Sequence, residues 1–375
     1  MGQHAPESTP GLNGLRAIAA IAVVISHITL ALKEFHLNPY ILGVAEDGKP
    51  KGLSLAGFGV SIFFVLSGFL ITYLLQAEKE VNSINIKKFY LRRILRIWPL
   101  YYMYLILVVI TILVFKLDFD LKSLLLYIFY AANIPFILNT TLPFVAHYWS
   151  LGVEEQFYLF WPWVNKKIDH HIIPTIITFI VILVGTKVLL HFYRPNSLLE
   201  SIIHVTRFHT MMIGALGAIL YKQGNRFFLE ITNNKIAQAI GWMIIFLVAI
   251  NKYHFISIID NEIISIVTLV LIIGQIHITN RLINLELTFL DFLGKISYGI
   301  YVIHPLIIFL LSKSLNQINI QATYKYFMVY FTTLTLTIII SHLSYKYFER
   351  YFLVIKKRFV VVPSSSAKHI DKITE

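Results

Sequence analysis

Arg16 and His27 stand eleven residues apart in an apolar stretch that begins near Leu12. Along a helix this separation is about 16 Å at 1.5 Å per residue. Eleven residues is close to three turns, so both side chains lie on one face. An imidazole with an ordinary pKa of about 6.5 can take a proton from a hydroxyl and act as a general base. The plainer reading is a buried His bonded to a carbonyl, with Arg16 fixing orientation at the interface. A second group is His147-Tyr148-Trp149-Ser150-Leu151-Gly152-Val153-Glu154-Glu155-Gln156-Phe157-Tyr158. Carboxylates at the centre of an apolar helix are costly. Glu154 and Glu155 are therefore expected to line a polar cavity and to pair with His27 or Arg16. One carboxylate can orient the imidazole, and the aromatics with Gln156 suit a sugar.

Arg92, Arg93 and Arg96 precede Trp98-Pro99-Leu100-Tyr101-Tyr102. Arg93 and Arg96 are three apart and share a helix face. Guanidinium forks suit phosphate oxygens, and a nearby Trp or Tyr ring suits an adenine; anchoring to lipid head groups is the plainer reading. Ser67-Gly68, within Phe63-Phe64-Val65-Leu66-Ser67-Gly68-Phe69-Leu70-Ile71, reads as a close helix contact through small residues. A nucleophilic serine there lacks the strand–turn–helix setting it needs. Gly294-Lys295-Ile296-Ser297-Tyr298-Gly299-Ile300-Tyr301 leads to His304-Pro305, where the proline frees a backbone carbonyl for His304 or a ligand. Arg207 is a further charge in a span, and Glu349 with Arg350 reads as an interfacial pair.

The elements that position these groups follow from composition. Of 375 residues, 57% are hydrophobic and 14% charged, and the mean hydropathy is +0.70. A soluble domain carries about 25% charge. The deficit, with apolar runs long enough for about 30 Å of hydrocarbon, marks an all-α polytopic transmembrane bundle. It excludes a soluble enzyme, a nucleic-acid reader and a secreted disulfide scaffold. The net charge of +12 fits Lys and Arg gathered in cytoplasmic loops. With no cysteine there is no disulfide, thiolate ligand or thiol-bound acyl group. The first apolar segment contains Arg16 and lacks a small-residue cleavage site, so it is expected as a retained span.

Ten spans are expected, near 15–33, 57–76, 97–115, 148–165, 172–192, 205–221, 236–251, 262–278, 294–312 and 326–348. Residues 77–96 hold Lys79, Lys87, Lys88, Arg92, Arg93 and Arg96 against Glu78 and Glu80. Residues 34–56 hold Lys49 and Lys51 against Glu34, Glu46 and Asp47. The positive-inside rule then puts 77–96 and both termini in the cytoplasm. The stretch 121–138, interrupted by Asn133-Ile134-Pro135, is expected as a peripheral or re-entrant helix; an eleventh span there inverts every later loop. Residues 359–375 are expected as a short disordered cytoplasmic tail.

Taken together, these segments resemble the acyltransferase-3 family of integral membrane O-acyltransferases acting on bacterial cell-surface carbohydrates. The resemblance runs from Gly14 to about Tyr351. It rests on Arg16 with His27, on 63–71, on Arg93 to Arg96, on 149–158 and on Ser297 to Pro305, in that order. The family's Glu, one residue, Pro ending is here Glu349-Arg350-Tyr351, without the proline.

The resemblance implies a membrane acyltransferase domain over 1–358 in the bacterial inner membrane. The donor would be acyl-CoA, most often acetyl-CoA, as a co-substrate, with no permanently bound cofactor and no metal. Arg93 and Arg96, with Arg92, would grip its phosphates. His27 would deprotonate the acceptor or briefly carry the acyl group, its protonation and orientation set by Glu154 or Arg16. Trp149, Ser150, Glu155, Gln156, Tyr158, Tyr298 and His304 would face the acceptor, a sugar hydroxyl of an envelope glycan or lipid-linked sugar. Lipid is the other expected partner, and nucleic acid is not. The rival reading is a transporter or flippase for a sugar-lipid or anion, with Arg16, His27, Glu154 and Glu155 as a proton relay.

Overall fold

The computed structural model describes residues 10–45, 48–318 and 320–361. Among these the regular structure is helical, apart from one isolated bridge between Val44 and Pro50. The helices are α1 (Leu12–Ala31), α2 (Ser54–Val81), α3 (Ile86–Val114), α4 (Leu121–Ile128), α5 (Asn133–Ile137), α6 (Trp149–Lys167), α7 (Ile172–Tyr193) and α8 (Leu198–Thr206). Then come α9 (Phe208–Lys222), α10 (Arg226–Thr232), α11 (Lys235–Ala249), α12 (Asp260–Ile276), α13 (Thr288–Lys295), α14 (Ser297–Leu315), α15 (Ala322–Ser344) and α16 (Arg350–Lys357). A π-helical turn, Tyr345–Glu349, joins the last two.

Among the described residues seven helical runs are long and apolar enough to cross a bilayer: Leu12–Phe35, Ser54–Val81, Ile86–Val114, Ile172–Tyr193, Leu198–Lys222, Ser297–Leu315 and Ala322–Lys357. The pair α10–α11, bent by 52°, makes an eighth if it is one span. Two further expected segments are helical without meeting that test. α6 carries Glu154, Glu155, Lys166 and Lys167, and α12 has 17 residues and opens on Asp260 and Glu262. At 121–138 the chain makes α4 and α5, of 8 and 5 residues, each too short to cross. They are tied to their neighbours by polar side chains. Tyr101 and Tyr102 donate to the Tyr127 and Ile128 carbonyls at 2.6 and 2.9 Å, and the Gln156 amide donates to Asn133 at 2.8 Å.

α2 is the axis of the bundle. It packs against α1, α9, α12 and α6. A Cβ at Gly68 would stand 1.9 Å from the Met211 carbonyl oxygen, and one at Gly214 2.1 Å from that of Val65. Only glycine lets the α2 and α9 backbones come this close. α2 and α6 run parallel and are joined rung by rung. Ser67 donates to Glu154, Trp161 Nε1 to Thr72 at 2.8 Å, and Gln76 Nε2 to Asn165 at 3.0 Å.

α7 buries only Ile172, Ile176 and Lys187. Lys187 meets Glu262 of α12 at 2.7 Å, and Glu262 also meets His209 of α9 at 2.9 Å. Arg207 sits in the left-handed break between α8 and α9 (φ 42°). It donates to the His204 carbonyl at 2.8 Å and to Asn261 Oδ1 at 3.2 Å, and lies 5.5 Å over the Trp149 ring. Of the expected tail, 362–375 lie outside the described residues. Phe359 is held: its carbonyl accepts from Arg92 Nη1 at 3.0 Å.

Candidate active site

α1, α2, α3, α6 and α14 enclose a cavity of about 140 Å³. α2 contributes Val60, Phe63, Phe64, Ser67, Leu70, Ile71 and Leu74, one face of a helix at the three- and four-residue spacing of its turns. Arg16 enters from α1, Arg93, Arg96 and Ile97 from α3, and Ser150, Leu151, Glu154 and Tyr158 from α6. Ser297, Tyr298 and Tyr301 of α14 close it. At 1.5 Å per residue the α2 stripe from Val60 to Leu74 is about 21 Å long.

Charge is gathered at the arginine end. Arg93 lies 5.8 Å over the Phe89 and Tyr158 rings, and its buried Nε has no hydrogen-bond partner. Neither Arg93 nor Arg96 makes a hydrogen bond or ion pair with any described residue. Arg16 donates to Asn13 Oδ1 at 3.0 Å, and Asn13 in turn donates to Asp291 at 2.8 Å. Glu154 accepts from Ser67, which itself accepts from Tyr158 at 3.1 Å. Tyr298 donates to the Ile97 carbonyl at 2.7 Å, linking α14 to α3.

At the other end Ser150 Oγ and Tyr301 Oη are 2.5 Å apart, and Tyr301 donates to the His147 carbonyl at 2.8 Å. Next to them lie three imidazoles. His27 Nδ1 is 2.7 Å from His304 Nε2, and the His147 and His304 ring centres are 5.3 Å apart. Among the described residues no group of three or more His, Cys, Asp or Glu is arranged to hold a metal. The hydrogen bonds fix the tautomers. His304 Nδ1 is 3.0 Å from the Ile300 carbonyl oxygen, which can only accept. With both rings neutral, the His304 proton is on Nδ1 and its Nε2 accepts. His27 must then donate from Nδ1, which leaves the lone pair of His27 on Nε2.

The expected site residues separate by position. Arg16, Arg93, Arg96, Ser150, Glu154, Tyr158 and Tyr298 line the cavity. His27 and His304 contact each other beyond Tyr301, and the partner of His27 is His304, where Glu154 or Arg16 was expected. Arg92 faces away: it donates to Glu78 at 2.9 Å and to the Phe359 carbonyl, bracing the start of α3. Gln156 clamps α5, and Trp149 lies between Phe64 and Phe136 with ring centres at 6.1 and 5.3 Å. Glu155 takes a 3.4 Å bond from Trp98 Nε1, outside the cavity lining. Glu349 accepts from Ser344 at 3.2 Å.

The sequence reading did not assign Ser67, Tyr301, Ser297 or His147 to the site. The signal for Ser67 was the α2 stripe, since Val60, Phe63, Phe64, Ser67, Leu70, Ile71 and Leu74 share one face. His147 and Tyr301 carry no local signal, because they are brought together across 154 residues.

Fold and cavity together define a polytopic helical protein with a polar site inside the bundle, cationic at one end and imidazole-bearing beyond the other. The chain belongs to the acyltransferase-3 family: the family model described as an acyltransferase domain matches residues 9–345. It is 28% identical over 367 residues to the O-acetyltransferase OatA of Staphylococcus aureus (strain NCTC 8325 / PS 47), covering 91% of this chain and 56% of that protein. It is 29% identical over 365 residues to a putative O-acetyltransferase of Staphylococcus aureus (strain COL), covering 89% of this chain and 56% of that protein. The chain thus spans about half the length of the curated relatives it matches. No solved structure matches it.

Proposed function

We propose that this chain is a membrane O-acyltransferase that moves an acyl group, in the simplest case acetyl, from cytoplasmic acyl-CoA to a sugar hydroxyl of a bacterial cell-envelope polysaccharide. The observation that carries this reading is the cavity: Arg93 and Arg96 at one end, and at the other the wall of Ser150 and Tyr301, with the His304 ring 6.3 Å from that of Tyr301 and bonded in turn to His27. Family membership and the relatives named as O-acetyltransferases support the reaction type. The membrane is the bacterial inner membrane, with ten crossings and both termini cytoplasmic. In that arrangement Lys87, Lys88, Arg93 and Arg96 lie on the inner side, as the positive-inside rule asks.

The arginines hold the donor phosphates, since planar guanidinium groups match phosphate oxygens in charge and geometry. The cavity receives the uncharged arm that ends in the thioester. His27 Nε2 takes the proton of the acceptor hydroxyl while that oxygen attacks the thioester carbonyl. The carbon–sulfur bond then breaks, the ester forms, and the proton passes from the imidazolium to the CoA thiolate. His304 Nε2, accepting from His27 Nδ1, stabilises the charge that His27 gains.

The test compares membranes holding the native chain and His27→Ala at matched levels. Labelled acetyl-CoA is supplied, and label is followed into the envelope polysaccharide. Base-labile label from the native chain and at least a hundredfold less from the variant is the expected result, in line with the roughly 10²–10⁴ contribution of a general base. Equal labelling overturns the role of His27. Absence of label from both, with flux of a lipid-linked sugar that depends on His27, favours a transporter.

A further inference from the structure

α16 lies along α3. Just past its end the chain is strapped down where Arg92 Nη1 donates to the Phe359 carbonyl. α16 thus packs on the helix that carries Arg93 and Arg96, with Lys356 partly buried. The charges that act most strongly on it are Arg96, Arg93, Arg16 and Arg92, all of its own sign. It makes no hydrogen bond or ion pair with any described residue. The carboxylates of the neighbourhood act on the arginines: Glu154 on Arg93, Arg96 and Arg16, Glu155 on Arg93 and Glu349 on Arg96, while Glu78 is paired with Arg92. None is among the charges that act most strongly on Lys356, which is left facing cations.

Like charges drawn together in a poorly solvated place are unfavourable unless an anion joins them. The buried, unpartnered Nε of Arg93 points the same way, as a donor held ready for an acceptor the protein does not supply. Position separates the four cations. Arg16, Arg93 and Arg96 line the cavity, whereas Lys356 does not and belongs to the last helix.

We propose that Lys356 is a donor-binding residue: α16 brings it over the mouth of the cavity as the outermost cation, where it holds the 3′-phosphate of the coenzyme A moiety. The inference rests on acyl-CoA being the donor. Arg93 and Arg96 serve the pyrophosphate nearer the cavity, and Lys356 serves the phosphate furthest from the thioester. The C-terminal helix is then part of the donor site. A phosphate on a membrane lipid has the same chemistry as a partner for Lys356, and the experiment separates the two.

The full chain is purified in an uncharged detergent, free of anionic lipid. Dissociation constants are measured by calorimetry for acetyl-CoA and for acetyl-3′-dephospho-CoA. The native chain is expected to prefer acetyl-CoA about tenfold, the scale of one charge-assisted hydrogen bond. Lys356→Gln should bind acetyl-CoA about tenfold more weakly and the dephospho donor almost unchanged, so that the preference disappears. Lys356→Arg should keep it. Arg93→Gln should weaken both donors and leave their ratio intact.

If Lys356→Gln retains the native preference, the proposal is wrong and a lipid phosphate is the better partner for this lysine. If the native chain binds neither donor, the acyl-CoA reading falls and this inference with it. Should Lys356→Gln fail to fold, Lys356→Met, which keeps an unbranched apolar stem, carries the same comparison.

Discussion

At His27 the imidazole is oriented by a second imidazole, and that one by a backbone carbonyl. The chain of bonds from the Ile300 oxygen through His304 to His27 leaves a lone pair on one defined atom, with no carboxylate among the described residues bonded to either ring. In the proposed reaction His304 is therefore a positioning residue. We expect His304→Leu to lower kcat about a hundredfold, the lower range of what a general base supplies, with the KM for the acyl donor unchanged. A steady-state measurement in which KM rises as much as kcat falls would instead assign His304 to packing. His27 was legible in the sequence because an apolar run contained one imidazole eleven residues from an arginine. Its partner was not, since His304 is 277 residues away and only the tertiary fold brings them to 2.7 Å.

Among the elements, neighbouring residues on one helix do different work because successive side chains point about 100° apart. On α6, Ser150, Leu151, Glu154 and Tyr158 face the cavity, while Trp149, Glu155 and Gln156 face other helices. On α3, Arg93, Arg96 and Ile97 face it, while Arg92 turns to Glu78. Motif reading picked out these segments and mixed their faces. Tracing the helical stripe would have kept Ser67 and set aside Gln156, whereas Arg92, four residues from Arg96, is separated only by its ion pair with Glu78. Removing one partner of a buried pair leaves an uncompensated charge. Arg92→Ala should thus lower stability by about 3–5 kcal/mol, read from unfolding in mixed micelles, while the folded fraction loses no more donor affinity than Lys356→Gln does. Arg93→Ala should do the reverse, weakening donor binding with little change in stability.

At the scale of the molecule, polar groups also lie within the mostly apolar bundle away from the candidate site. One such group, Lys187 with Glu262 and His209, fastens a helix whose remaining surface is largely apolar and exposed. Glu262→Ala should destabilise the fold by about 3–5 kcal/mol, and the double variant Lys187→Met with Glu262→Leu should recover most of that loss in the same unfolding measurement. Ten helical segments were legible from hydropathy. Their partners were not, because close approaches such as Gly68 on Met211 depend on which helices adjoin.

The cavity also has a length. Its α2 wall runs about 21 Å, and His27 stands about 16 Å along α1 from Arg16. In the proposed reaction, a donor gripped by its charges at one end meets the imidazole only if its neutral arm is as long as that gap. On that reading the molecule is a measuring rod. A short acyl phosphate can satisfy the guanidinium groups and still hold its carbonyl out of reach. Adding or removing a single methylene in the arm of a true donor displaces the carbonyl without loosening the grip, so selection by reach is independent of selection by charge.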